Sequence, residues 1–183
     1  KRNTLSLVAV DLDQRQVGVA VAGGGPAVGA WVPHVRPGLG ALAMQGWVNP
    51  GLAEELWGLL GDGFNAAEAL SEALAEDERR QLRQVVAVDL DGVAAAHTGA
   101  EVDEPKAHLT EEGLAVAGNR LAGREAVSAA VRAFRGTGGP LATRLMCGLE
   151  AGARAGADSR GLRSAALVVA GEGASPRVDL RVD

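Results

Sequence analysis

In this 183-residue chain the side chain best suited to nucleophilic chemistry is Thr4, which opens the apolar run Leu5-Ser6-Leu7-Val8-Ala9-Val10. A threonine hydroxyl attacks a carbonyl only when a base takes its proton. An α-amine, with an unperturbed pKa of roughly 7.7–8.0, is such a base when the threonine is the chain terminus. Lys1-Arg2-Asn3 precede Thr4 here, so this chemistry requires their removal. The other reading makes Thr4 an ordinary strand residue, a position threonine favours, and on the hairpin alone that reading leads.

Further residues carry usable chemistry, each with a plainer alternative. His97, in His97-Thr98-Gly99, either shuttles protons or bonds a neighbouring loop. Asn119, in Gly118-Asn119, either donates to an oxyanion or substrate or fixes a turn in the left-handed conformation. Gln45 and Asn49 flank Trp47 and could line a pocket. Asp158, Arg160 and Ser164 either hold a substrate carboxylate or close a loop through a salt bridge, and the salt bridge is the stronger expectation. His34 and His108 lie in expected loops with no ligand partner at a telling spacing. Arg36 can supply charge but, with its pKa above about 12, not act as a base. The order of residues defines no Ser/His/Asp triad and no Cys/His spacing suits zinc, so no metal and no cofactor is expected.

The elements that must position these residues can be read from periodicity. Thr4 to Gly25 reads as a hairpin: a near-continuous apolar strand, a polar turn over residues 11–16, then Val17, Val19 and Val21 alternating with Gly18, Ala20 and Ala22. Strands are expected over 28–32 and 39–44, joined through 33–38. Leu52, Leu56, Leu59 and Leu60 then fall at helical spacing behind Pro50, and Asn65 with Glu68 resembles a capping box opening a second helix. The charged run 76–80 reads as a solvated face. Asp91-Gly92 signals a hairpin between 85–90 and 93–96, and 98–113 reads as a polar loop. A short strand at 114–117 ends at the break Gly118-Asn119. A helix follows from about Arg124, and another begins at Pro140. Gly148, Gly152 and Gly156 repeat along that last helix and predict a close backbone neighbour. Strands at 164–170 and 177–182 close the chain. Strands arriving as hairpins between helix pairs predict an α+β fold, a four-layer αββα sandwich in one domain spanning 1–183, over a doubly wound parallel sheet.

Bulk composition narrows the partners. The net charge is −5 and the 18 Lys and Arg form no basic block, so nucleic acid is not an expected partner. No apolar run reaches membrane-span length and no signal-peptide plan opens the chain, so a cytoplasmic protein without membrane contact is expected. The single cysteine, Cys147, reads as a small hydrophobe within a helix.

The series TLSLVAVD, VGVAVA, VGAWVP, GLGALAMQ, RQVVAVD, GVAAAHTG, VAGNRLAG, LEAGARAGADSRG and SAALVV resembles, in order and nearly end to end, the bacterial DUF1028 family. That resemblance implies a fold similar to the N-terminal-nucleophile hydrolases, with Thr4 standing at the family's threonine. It also marks departures: Gly23-Gly24-Gly25 in place of a Ser-containing segment, Val102 where many members have Cys, and Ala117 in place of Gln before Gly-Asn. Neither of the two lysines, Lys1 and Lys106, is obviously placed beside Thr4 as a proteasome-like site requires. The expected function is therefore an N-terminal-nucleophile amidohydrolase acting on a small amide-containing ligand. Thr4, His97 and Asn119 are its catalytic candidates, and Gln45, Asn49, Asp158 and Arg160 its substrate-binding candidates. The alternative is a non-catalytic or degenerate member that binds a ligand or assembles as a homo-oligomer.

Overall fold

A computed structural model describes residues 4–156, 161–171 and 178–183. Its first sheet is built from the hairpin β1 (Thr4–Asp11) and β2 (Gln16–Gly23). The second sheet contains β3 (Pro33–Arg36), β4 (Gly40–Gly46), β5 (Arg83–Asp89) and β6 (Ala94–Thr98), in that spatial order. β7 (Ala107–Glu111), β8 (Leu114–Asn119), β9 (Ser164–Ala170) and β10 (Val178–Val182) complete the first sheet in the order β10-β9-β2-β1-β8-β7. Every neighbouring pair is antiparallel. Four α-helices, α1 (Pro50–Gly61), α2 (Ala66–Glu76), α3 (Glu125–Gly136) and α4 (Leu141–Arg154), account for the helical periodicity.

Strand alternation distributes the apolar side chains. Leu5, Leu7 and Ala9 of β1 pack with Leu145 and Leu149 of α4 and Phe134 of α3. Val8 and Val10, on the opposite face, meet Ala41, Ala43, Val86 and Val88 of the second sheet. The other face of that sheet buries Leu42, Met44 and Val85 against Leu52, Leu56, Leu70 and Leu74 of α1 and α2. Thr4 and Ser6 share the parity of Val8, so they belong to the face of β1 that looks at the second sheet. That placement underlies the site.

Local chemistry sets the element ends. Asn65 makes a complete capping box with Glu68, and Asp89 Oδ2 accepts from Ala66 N at the same helix start. Asp89 Oδ1 also accepts from Asp91 N and Val93 N, closing the β5–β6 turn. Gly148 and Gly152 lie where a Cβ would meet Leu7 and Leu5 on one side and the α3 carbonyls of Ala130 and Ala126 on the other. The close approach expected of these two glycines is present. Gly156 lies just beyond α4 with φ of 108°, ending the helix, and it too has a close backbone neighbour: a Cβ there would stand 3.0 Å from Ala122 Cβ and 3.6 Å from Gly123 N.

Several sequence expectations are corrected. Residues 28–30 form a 3-10 turn and the strand comes later, at 33–36. Pro33 can open β3 because, among the described residues, that strand is an edge with one hydrogen-bonded neighbour. Residues 107–111 are an edge strand rather than loop, with a mostly exposed sequence that hides the strand pattern. Gly118-Asn119 continues β8, and the positive φ falls on Arg120 at 52°. The run 76–80 is not wholly solvated. Arg83 Nε donates to Asp77 Oδ2 at 2.7 Å, and the two side chains are only 7% and 8% exposed.

Candidate functional site

Thr4 is 1% exposed and sits between Gly23 of β2 and Asn119 of β8 in register. Around it lies a buried network of amides and hydroxyls between the two sheets. Ser6 Oγ donates to Gln45 Oε1 at 2.8 Å. Gln45 Nε2 donates to Gln84 Oε1 at 2.7 Å and reaches the carbonyls of Thr4 at 3.4 Å and Ala117 at 3.3 Å. Gln84 Nε2 in turn donates to Thr98 Oγ1 and Gly118 O, both at 3.0 Å, and to Ala107 O at 3.3 Å. Asn119 Nδ2 supplies the second donor to Gln84 Oε1 at 3.0 Å.

Backbone carbonyls can only accept, and they fix these side-chain orientations. Each glutamine must turn its nitrogen toward them, leaving its oxygen for Ser6 or for the paired donors Gln45 and Asn119. Gln45 and Gln84 face each other directly across β4 and β5. Each stands at the end of an inward row otherwise made of Ala or Val, so burying it is tolerable only because its polar atoms are satisfied.

Among the described residues the network contains no ionisable side chain until its far end, where Thr98 Oγ1 lies 2.8 Å from His108 Nδ1. Burial pushes the His108 pKa below its ordinary value, and the nearby His97 lowers it further. Lys106 is committed elsewhere. Its Nζ donates to the carbonyls of Gly99, Ala100 and Val102 at 3.0, 2.7 and 3.0 Å, gathering the loop that follows β6 around one ammonium.

That loop walls a cavity of about 120 Å³ together with Trp47, Leu82 and Asn119. Val102 contributes an apolar wall, while Glu101 and Asp103 give the cavity an acidic side. Trp47 is fixed by its backbone: its N donates to Leu82 O, and its carbonyl accepts from Arg83 Nη1 at 2.8 Å. Arg83 grips Asp77 through both Nε and Nη2. This hydrogen-bonded guanidinium holds the Asp77 carboxyl below its ordinary pKa, against the opposing effect of burial. The buried pair therefore braces one side of the cavity.

The structure brings Thr4, Gln45 and Asn119 together and leaves Asn49 and His97 apart from them. Asn49 is the N-cap of α1, its Oδ1 accepting from Gly51 N. His97 has the parity of Val85, on the helix-covered face of the second sheet, and its Nε2 lies 2.8 Å from Arg80 O. It borders an open groove of about 730 Å³ between α2 and β6, away from the face that carries Thr4. Asp158 and Arg160 lie outside the described residues. Ser164 secures a loop, donating to Gly25 O at 2.7 Å and accepting from Val28 N at 3.0 Å. Ser6, Gln84 and Thr98, which sequence reasoning did not single out, complete the network. Their signal was available in strand parity: Gln84 and Thr98 are polar residues on otherwise apolar inward rows, and Ser6 shares the inward row of Thr4.

Fold and site define a mixed α+β protein with two antiparallel sheets and a buried polar cluster between them at one end. Residues 4–183 match the model of a family of unknown function, DUF1028, and the chain belongs to that family. It is similar to the crystal structure of protein SPO2555 from Silicibacter pomeroyi, which carries the same family model. The two are 34% identical, with a TM-score of 0.92 over 99% of this chain and 78% of that one. No curated protein matches the chain.

Proposed function

We propose that the two sheets and their helix pairs form the αββα sandwich of the N-terminal-nucleophile hydrolases, and that the protein is an amidohydrolase whose nucleophile is Thr4 once its nitrogen is free. The observation that carries this reading is the position of Thr4: first residue of a central strand, turned toward the opposing sheet, in register with Asn119. The surrounding Ser6, Gln45, Gln84 and Asn119 are amides and hydroxyls, none of them a base at neutral pH. Lys106 is held by carbonyls and His97 faces another layer. Among the described residues the α-amine of Thr4 is therefore the base this arrangement offers, and the amide linking it to Asn3 has no such basicity.

In the proposed reaction Thr4 Oγ1 attacks the amide carbon while its α-amine takes the hydroxyl proton and later delivers it to the leaving amine. Water then hydrolyses the ester formed on Thr4. The second N–H of Asn119 Nδ2, beyond the one given to Gln84, is the side-chain donor for the oxyanion. The same absence of a side-chain base among these neighbours favours a second reading while Asn3 remains attached: a non-catalytic protein that binds a ligand in the Asn119 cavity.

The test compares the chain with a form trimmed to begin at Thr4, and with Thr4→Ala and Thr4→Ser in the trimmed form, against a panel of small amides. Trimming should raise hydrolysis, Thr4→Ala should abolish it and Thr4→Ser should retain part of it. Activity unchanged in Thr4→Ala removes Thr4 from the mechanism.

A further inference from the structure

The first sheet ends at β10, which has β9 as its hydrogen-bonded neighbour on one side and none on the other among the described residues. Unpaired strand edges are usually blunted by a central charge, a proline or a bulge. β10 carries no proline between Val178 and Val182, and its two charges, Asp179 and Arg181, flank an apolar central residue, Leu180. Its sequence is Val178-Asp179-Leu180-Arg181-Val182, and Leu180 and Val182 are 57% and 68% exposed. By register Val178, Leu180 and Val182 continue the face on which Leu167 and Val169 are buried, so an apolar row runs off the sheet into solvent. Asp179 and Arg181 occupy the opposite face, where they pair with each other at 3.1 Å while both remain about half exposed.

The order of these five residues is self-complementary. When two copies of β10 run antiparallel about a two-fold axis at Leu180, Leu180 meets its own copy and Val178 meets Val182. Asp179 of each copy then faces Arg181 of the other. One register thus matches apolar with apolar and acid with base at every position. A slip by one residue would set Leu180 against a charged side chain, and a slip by two, which moves the axis by one residue, would set Asp179 or Arg181 against itself, so side-chain chemistry selects this register.

We propose that β10 is a homodimer interface, joining two six-stranded sheets edge to edge through an antiparallel pair centred on Leu180. Each Arg181 exchanges its intrastrand Asp179 for that of the other copy, so no charge is left unpaired. The outward N–H and C=O groups of β10 gain partners, and Leu180 is covered. The inference does not depend on the chemistry of Thr4.

Sedimentation or light scattering of the full chain across a concentration series tests it. The parent chain should approach the mass of two copies. Asp179→Arg places arginine against arginine twice across the axis, and Arg181→Asp places aspartate against aspartate twice. Each should weaken dimerisation by about tenfold or more. Mixing the two variants restores opposite charges at both positions and should restore association as a heterodimer, as should Asp179→Arg with Arg181→Asp in one chain. Both side chains are solvated, so thermal melts should show each variant folded. Leu180→Glu is a second disruptive change should a charge variant fail to fold. A parent that stays monomeric at every concentration overturns the proposal, as do single variants that dimerise like the parent or a mixture that fails to associate.

Discussion

Replacing Gly152 with alanine tests the close packing of α4 with a single methyl group. That methyl would stand 2.5 Å from Leu5 Cδ2, 3.0 Å from Ala126 O and 3.2 Å from Ala130 Cβ. Leu5 is wholly buried, and the other two atoms belong to α3, so relief requires the two helices to separate. Alanine in a helix gains about 1 kcal/mol over glycine. Overpacking a core costs roughly 1–3 kcal/mol. The clash involves three neighbours in two elements, so the cost should prevail by about 1 kcal/mol, and Gly152→Leu should cost about 3 kcal/mol. At this chain length 1 kcal/mol moves a melting temperature by about 2–4 °C. Gly58, on an exposed face of α1 with nothing within 4 Å of its would-be Cβ, is the internal control. Gly58→Ala should raise the melting temperature by about as much as Gly152→Ala lowers it. If both substitutions stabilise in thermal melts, the packing reasoning for α4 is refuted.

Two further outcomes follow from the charged groups. Asp77→Ala should destabilise by about 3 kcal/mol in denaturant titration, because it leaves the buried Arg83 guanidinium without its carboxylate; a loss below about 0.5 kcal/mol would place the pair in the solvated class. Acidification should also lower stability. His34, whose buried Nε2 has no partner among the described residues, has its pKa lowered by burial, and His108 is lowered by burial and by His97. A histidine pKa depressed on folding means that the unfolded chain binds more protons, so stability is full above its usual pKa of about 6.5 and falls as pH drops below it. His34→Met should flatten the melting temperature between neutral and mildly acid pH, and an unchanged slope would exclude His34 as a contributor.

The sequence disclosed elements wherever a residue pattern had one local meaning. Asn65 with Glu68, Asp91-Gly92 and the alternation of β2 each specify a cap, a turn or a pleat without tertiary information. It concealed elements whose stability comes from neighbours. β7 reads as polar loop because its side chains face water while its backbone is satisfied by β8. β3 is masked by its flanking prolines. Asn49 resembles a pocket residue until α1 starts immediately after it. Within the site, Thr4, Gln45 and Asn119 were legible as chemistry, but their meeting depends on strand register across two sheets. Gln84 and Thr98 became visible only when parity placed them on inward rows. His97 separated from the group by one residue of that same parity, its neighbour Thr98 taking the inward position.

The central claim, that an unmasked Thr4 is the nucleophile, is tested most directly by mass spectrometry of the trimmed chain after exposure to a β-lactone. Attack by Thr4 Oγ1 on the lactone carbonyl breaks the ring C–O bond, and the α-amine relays the hydroxyl proton to the departing alkoxide, so the whole lactone mass is added. A single ester adduct mapping to Thr4 is expected in the trimmed chain, with none in the chain that retains Asn3 and none in trimmed Thr4→Ala. Equal labelling of all three forms, or labelling that maps elsewhere, would contradict it.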